Sequence, residues 1–377
     1  MNAARLAFFY GAIFLVIGVM LPFWPLWLKA HGLGPEEIGL VMGVAMATKV
    51  VGNPLIAGIA DRLNERKRPL IVLSFFACGA FSIFHGMTGF WPILAISILF
   101  FFFWSPLIPL TETLTMLISR RQKLDYGRVR LWGSLTFIAA ALGMGWALTD
   151  RSPELIYWTI LVMIGLTFAA ALFLPNAEAP PRADTRAPIV EVLKDRMFLV
   201  FIAATGLIQT SHVIYYAFGT IHWRAAGHSE AVIGWLWAEG VIAEVLLFIW
   251  GDRVIRKIGA ARLIALAGLA GLIRWLGTGL TDALPALVIL QLLHGATYGA
   301  AHLGAIHFIS RRMDPAISAT AQGVYAAAVM GIGFGIASWG GGYLYAAHGG
   351  HAYLPMALMA GLGGWVAFSL RRQPPDT

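Results

Sequence analysis

Apolar residues run along this chain in blocks of about twenty, separated by short stretches rich in Gly, Pro and charge. A block of that length spans the hydrocarbon core of a bilayer, about 30 Å thick, at 1.5 Å of rise per residue. The blocks predict helices over 6–28, 38–60, 70–89, 92–118, 129–149 and 155–174, then over 197–222, 231–250, 261–280, 284–308, 318–345 and 352–370. Between the two sets, 175–196 is rich in Pro, Ala and charge and reads as a linker. The expectation is an all-α membrane protein of twelve transmembrane helices, organised as a six-helix bundle over 1–174, a cytoplasmic linker over 175–196 and a second six-helix bundle over 197–377. The first block, Leu6 to Leu28, is longer than a signal-peptide core and lacks a small-residue cleavage pattern, so it is expected to remain as the first helix.

Composition agrees. With 59% hydrophobic and 12% charged residues the chain has too little polar surface for a soluble globule of 377 residues. The formal charge of +8 gains meaning from position. If successive loops alternate sides, all but five of the 27 Lys and Arg residues fall on one side, from Arg5 through Arg62 and Arg66 to Arg371 and Arg372. Lys29, Arg151 and Arg224 fall on the other, and Lys49 and Arg274 lie within helices. This asymmetry predicts a multi-pass protein of a bacterial inner membrane with both termini cytoplasmic. The basic excess is thus a topology signal, and no basic-aromatic stripe for nucleic acid accompanies it. Cys78 is the single cysteine, which leaves no disulfide framework and no thiolate metal cluster.

The two halves repeat one another. Ala57-Gly-Ile-Ala-Asp61-Arg62-Leu-Asn-Glu-Arg66-Lys67 follows the second helix, and Gly251-Asp252-Arg253-Val-Ile-Arg256-Lys257 follows the eighth. Lys29-Ala-His-Gly32 is echoed by Arg224-Ala-Ala-Gly227, at an offset one helical turn longer. Parallel six-helix repeats are the plan of major facilitator transporters, and the Asp-Arg-x-x-x-Arg-Lys loop resembles that superfamily's cytoplasmic motif, with Ala57 and Asn64 at its two Gly positions. The resemblance implies a conformational latch at Asp61, Arg62, Asp252 and Arg253.

Within that superfamily, longer stretches resemble the 3-phenylpropionate transporter group. They are Leu21-Pro-Phe-Trp-Pro-Leu-Trp-Leu-Lys29, Phe103-Trp-Ser-Pro-Leu-Ile-Pro-Leu-Thr-Glu112 and Asp125-Tyr-Gly-Arg-Val-Arg-Leu-Trp-Gly-Ser134, continued by His212-Val-Ile-Tyr-Tyr216, Ala243-Glu244-Val245, Arg274-Trp275, Leu293-His294-Gly295 and His302-Leu303. Glu112 stands where that group carries Asp. The resemblance implies proton-coupled import of a small aromatic monocarboxylate by alternating access, with helices 1, 4, 7 and 10 lining a central cavity.

Each charge near the bilayer centre costs about 2.5–3.5 kcal/mol on insertion scales, so such groups need partners or water. Lys49, Glu112, Glu239, Glu244 and Arg274 are the candidates. Gln291, His294, Tyr298 and His302 fall on one stripe of the tenth helix, and Gln209, His212 and Tyr216 on one stripe of the seventh, with Tyr215 beside it. These residues are expected to line the substrate path, or else to hold helices together by hydrogen bonds. Glu244, Arg274 and His294 are expected to form the proton-coupling network. By depth alone Arg274 would meet Glu239 first, but the resemblance covers Glu244 and Arg274 and not Glu239, so Glu239 stands second to Glu244. Lys49 is the expected anion partner, Glu112 a further substrate group, and Trp24 and Trp104, with Tyr215 and Tyr216, the groups that would enclose an aromatic ring. Trp27, near a helix end, reads better as an interfacial anchor.

No HExxH, nucleophile elbow or P-loop occurs, so the expectation is a monomeric transporter without cofactor or metal rather than an enzyme. Its partners would be a small-molecule substrate, protons and the bilayer. Sugar or nucleoside symport and drug/proton antiport stay open; efflux members usually carry Gly-Pro in the fifth helix, and Trp132 to Trp146 has no Pro. A membrane sensor would need an output domain, and the chain ends soon after the twelfth helix.

Overall fold

The computed structural model describes residues 2–177 and 189–370, apart from the side chains of 315 and 316. Arg182, Arg186, Arg371, Arg372 and half of the expected linker lie outside the described residues. Within them no strand occurs. The membrane helices are α1 (Asn2–Ala30), α2 (Pro35–Arg62), α3 (Lys67–Ser82), α4 (Phe90–Trp104 and Leu107–Gln122), α5 (Tyr126–Leu148) and α6 (Glu154–Leu172). They continue with α7 (Arg196–Thr210 and Val213–Ala225), α8 (Glu230–Ile249), α9 (Ala260–Leu280), α10 (Leu284–His294, Gly295–Gly299 and Ala300–Arg312), α11 (Pro315–Tyr325, Ala326–Gly333 and Phe334–His348) and α12 (Tyr353–Ser369). Ten helical stretches are long and apolar enough to cross a membrane; one of these, Ile317–Ser369, contains most of α11 and all of α12. The remaining crossing, α3, has 16 residues and reaches about 24 Å. Two short helices, Ile189–Lys194 and Gly251–Ile258, precede α7 and α9.

Four helices, α4, α7, α10 and α11, are interrupted, the first three for a local reason. In α4 the break falls at Ser105-Pro106, where proline has no N–H to donate. In α7 it falls at Ser211-His212: the imidazole Nδ1 lies 3.1 Å from the carbonyls of both Ile208 and Gln209, and Ser211 Oγ donates to Ile208 O at 2.6 Å. Side chains thus take over backbone acceptors at the interruption. In α10 the turn Gly295–Gly299 is π-helical, a bulge that widens the helix. By contrast, α1 runs through Pro22 and Pro25 without interruption. The glycine run that begins at Gly331 falls in a second π-helical segment, Ala326–Gly333.

By internal packing the chain divides into two units, Met1–Ala183 with Gly227–Ala238, and Asp184–Ala226 with Glu239–Thr377. In the first, α1 packs on α5 and α6, and α3 on α6; in the second, α7 packs on α12 and α9 on α12. The α1·α6 and α3·α6 pairings therefore recur six helices later. The sequence repeat is matched in backbone conformation too. Gly32 and Gly227, just beyond α1 and α7, have φ of +85° and +92°, the left-handed helix ending that glycine adopts without a Cβ clash. Asn64, in the loop after α2, has φ +50°, a value asparagine tolerates better than most residues. In that loop Asp61 pairs with Arg66, whose Nη1 also donates to Ala60 O at 2.6 Å, while Arg62 is exposed. Asp252 and Arg253, their counterparts in the second unit, are both exposed.

Candidate functional site

In the second unit the polar stripes of α7 and α10 meet around Arg274, on α9, whose side chain is fully buried. Its guanidinium donates to Gln291 Oε1 at 2.6 Å, His294 Nδ1 at 2.9 Å and Thr297 Oγ1 at 3.1 Å. The same group lies 4.4 Å from the Trp275 ring centroid and 4.8 Å from that of Tyr215, so aromatic faces supply further compensation for its charge. His212 Nε2 lies 3.2 Å from Thr297 Oγ1, which joins α7 to the same cluster.

Glu244 enters through His294: its Oε2 lies 3.7 Å from Nε2 of that ring. Shape explains its position. A Cβ on Gly295 would come within 2.6 Å of the Ala243 carbonyl, and one on Gly299 within 3.3 Å of Glu244 Cγ. The two glycines that bound the π-helical turn therefore let α8 lie directly on α10 with Glu244 beside His294. Glu239, one and a half turns earlier, is buried, and its Oε2 has no hydrogen-bond partner. The hydrogen bonds also assign the tautomer. A guanidinium N–H can only donate, so His294 Nδ1 accepts, and the proton of the neutral ring sits on Nε2, facing Glu244.

Of the remaining stripe residues, Tyr215 and Gln291 are buried within the cluster, Tyr216 and Tyr298 are half-buried and His302 is exposed. Gln209 is 1% exposed, and neither atom of its amide has a hydrogen-bond partner. The sequence reading missed Thr297, three residues after His294 and within the π-helical turn, which bonds both Arg274 and His212.

The first unit holds a different set. Lys49 on α2 is half-buried and its Nζ is 3.2 Å from Met46 Sδ; one turn on, Asn53 Oδ1 accepts from Ser105 Oγ at 3.1 Å, beside the break in α4. Glu112 on α4 faces Arg130 on α5, with Oε1 3.8 Å from Nε. Arg130 also covers the rings of Phe14 at 4.3 Å and Tyr10 at 5.6 Å. The charge pattern had counted Arg130 among the loop cations, but it lies five residues into α5. Trp24 is buried, stacked on Trp27 at 4.4 Å, and Trp27 in turn stacks on His31 at 3.6 Å. Trp27, expected as an interfacial anchor, is only 1% exposed and thus belongs to the packed interior of its unit. Trp104 is buried too, its ring 5.7 Å from that of Phe100.

Comparison with known proteins gives one consistent picture. Residues 3–354 match the model of the MFS_1 like family. The chain is 36% identical to the "Probable 3-phenylpropionic acid transporter" of Escherichia coli (strain K12) over 94% of each chain. It is 26% identical to the "Maltose permease" of Geobacillus stearothermophilus, over 89% of this chain and 86% of that one. Among solved structures, the crystal structure of nucleoside transporter NupG superposes with a TM-score of 0.86 over 99% of this chain and all of that one, at 15% identity.

Proposed function

The chain belongs to the MFS_1 like family of the major facilitator superfamily, and from that premise we propose that it is a proton-coupled secondary transporter importing a small aromatic monocarboxylate. The observation that carries this reading is the chain of contacts from Arg274 through His294 to Glu244. While Arg274 donates to Nδ1, His294 cannot take up a second proton there, so the proton is carried on Glu244. A shift of the guanidinium away from Nδ1 frees that nitrogen and lets His294 receive the proton. Binding and release thus turn on one movable hydrogen bond, the kind of two-state element alternating access requires. Glu239 is the second candidate carrier, buried with an unpartnered oxygen.

For the substrate, Lys49, whose described hydrogen bond goes to the Met46 thioether and not to a carboxylate, is suited to an incoming one. Glu112 and Trp104 extend that set in the first unit. In the second, Tyr215 and Tyr216 offer aromatic faces and Gln209, His212 and Gln291 offer hydrogen-bonding groups. The relative named as a 3-phenylpropionic acid transporter supports this substrate class.

The decisive measurement is uptake into proteoliposomes of phenylpropionate, cinnamate, a sugar and a nucleoside, with and without a pH gradient. Phenylpropionate or cinnamate should accumulate under an inward proton gradient, and Glu244→Gln should abolish that accumulation while leaving counterflow. A second reading, sugar or nucleoside symport, is favoured by Glu112 and Arg130, an acceptor and a donor placed side by side as hydroxyl recognition needs. Movement of the sugar or nucleoside with no movement of either carboxylate would establish it instead.

A further inference from the structure

Beyond the cluster around Arg274 the α10 stripe continues toward Arg311 and Arg312. His294, Tyr298 and His302 are spaced four residues apart, and their rings form a ladder: His294 and Tyr298 are 5.6 Å apart between centroids and 4° from parallel, Tyr298 and His302 are 6.3 Å apart and again 4° from parallel. Exposure rises along it, from His294 at 4% through half-buried Tyr298 to exposed His302. Glu244 flanks the upper rung and Phe248, one turn further along α8, lies 6.5 Å from the His302 ring. Histidine and tyrosine are groups that both accept and donate a proton. An exposed histidine within a membrane helix is tolerated where water reaches it, and a water can bridge polar groups that do not meet directly.

We propose that Tyr298 and His302 form the path by which a proton travels between Glu244 and the end of α10 that carries Arg311 and Arg312, a role distinct from holding substrate. This rests on the proton-coupled reading above. In the releasing direction the Glu244 carboxylic acid gives its proton to a bridging water. Tyr298 accepts one proton on its oxygen as it donates its own, so the phenol is unchanged. His302 becomes an imidazolium and then loses a proton to bulk water. The net change is one carboxylate at Glu244 and one proton in solution. Substituting either rung interrupts this exchange without removing the acid that stores the proton.

The test uses the full-length protein in proteoliposomes with phenylpropionate as probe, comparing gradient-driven uptake with counterflow, which needs no net proton release. In His302→Ala, driven uptake should fall at least about tenfold more than counterflow, which corresponds to about 1.4 kcal/mol on the proton-transfer barrier. Added imidazole should restore part of it. Tyr298→Phe, which keeps the ring and removes the hydroxyl, should show the same split to a smaller degree. Equal losses in both assays, or no loss in either, would overturn the path. Glu244→Gln, measured alongside, separates the two levels. If it leaves driven uptake intact, or if the wild-type protein does not move phenylpropionate, the underlying reading fails and the path with it. If Glu244→Gln abolishes driven uptake while both rung variants behave as wild type, the path alone is wrong.

Discussion

In each unit an arginine is set among aromatic rings, Arg274 in the second and Arg130 in the first, and the two are held very differently. Arg274 in the second unit is fully buried, donates three hydrogen bonds of 3.1 Å or less to neutral groups of α10, and stacks against Tyr215 and Trp275. Arg130 in the first unit is half-buried, and its Nε lies 3.8 Å from Glu112, beyond hydrogen-bond length. A buried fork with every acceptor in place is a fixed part, whose movement requires something to compete for its partners. A looser, wetter pair reorganises at little cost. The second unit is therefore suited to gating protonation and the first to accommodating a ligand.

The largest expected effect follows from that contrast. Arg274→Met fills much of the same space but strands Gln291 Oε1 and His294 Nδ1 as buried acceptors, at about 1–3 kcal/mol for each left unsatisfied. Thermal unfolding in detergent should show a loss of at least about 2 kcal/mol, together with loss of gradient-driven uptake. Arg130→Met should destabilise by less than about 1 kcal/mol, because a partly exposed ion pair contributes little. Equal destabilisation by the two substitutions would break the comparison.

A smaller effect sharpens it. Lys49 has a thioether as its described hydrogen-bond partner, so Lys49→Ala should leave the unfolding temperature nearly unchanged. If its charge meets the substrate carboxylate, the half-saturation concentration for phenylpropionate should rise about tenfold, or about 1.4 kcal/mol, with the counterflow maximum retained. A normal affinity in this variant removes Lys49 from the site.

The helical layout was legible in the sequence because the lengths of apolar runs and the positions of Arg and Lys are local properties, set by the bilayer. Each predicted helix lies within a few residues of an observed one except the third, whose observed end at Ser82 falls seven residues before the predicted 89. Interruptions were less visible. Pro106, without an N–H to donate, accounts for the one in α4, but the break in α7 depends on His212 turning back onto its own backbone, and the π-helical turn of α10 is adjusted to α8 at Ala243 and Glu244. Rise along a helix placed Arg274 closer to Glu239 than to Glu244. In the structure His294 stands between Arg274 and Glu244, a relay that depth along two helices does not reveal. Arg130 was misread for the opposite reason: charge counting assigns a cation near a helix end to the loop, whereas its side chain turns in over Phe14 and Tyr10.

The smallest effect lies at the edge of the second unit, where Asp195 caps α7 and pairs with α10. Its Oδ1 accepts from the amides of Met197 and Phe198 at 2.9 and 3.3 Å, and Arg312 Nε donates to Oδ2 at 2.8 Å. Burial pushes this carboxyl up, but the Arg312 hydrogen bond and charge together with the two amides outweigh it and hold it below its ordinary value. A depressed carboxyl contributes stability that is present above its unfolded value, near 4, and is lost as the pH falls through the lower folded one. Asp195→Asn keeps a good cap and removes the titration. The wild type should therefore exceed the variant by less than about 1 kcal/mol at neutral pH, and the gap should narrow as the pH falls below about 4. A gap that persists unchanged to pH 3 would mean that geometry rather than charge carries this contact. Closure of the gap would place Asp195 with the looser pairs of the first unit, and show that the rigidity of the second is confined to the hydrogen bonds around Arg274.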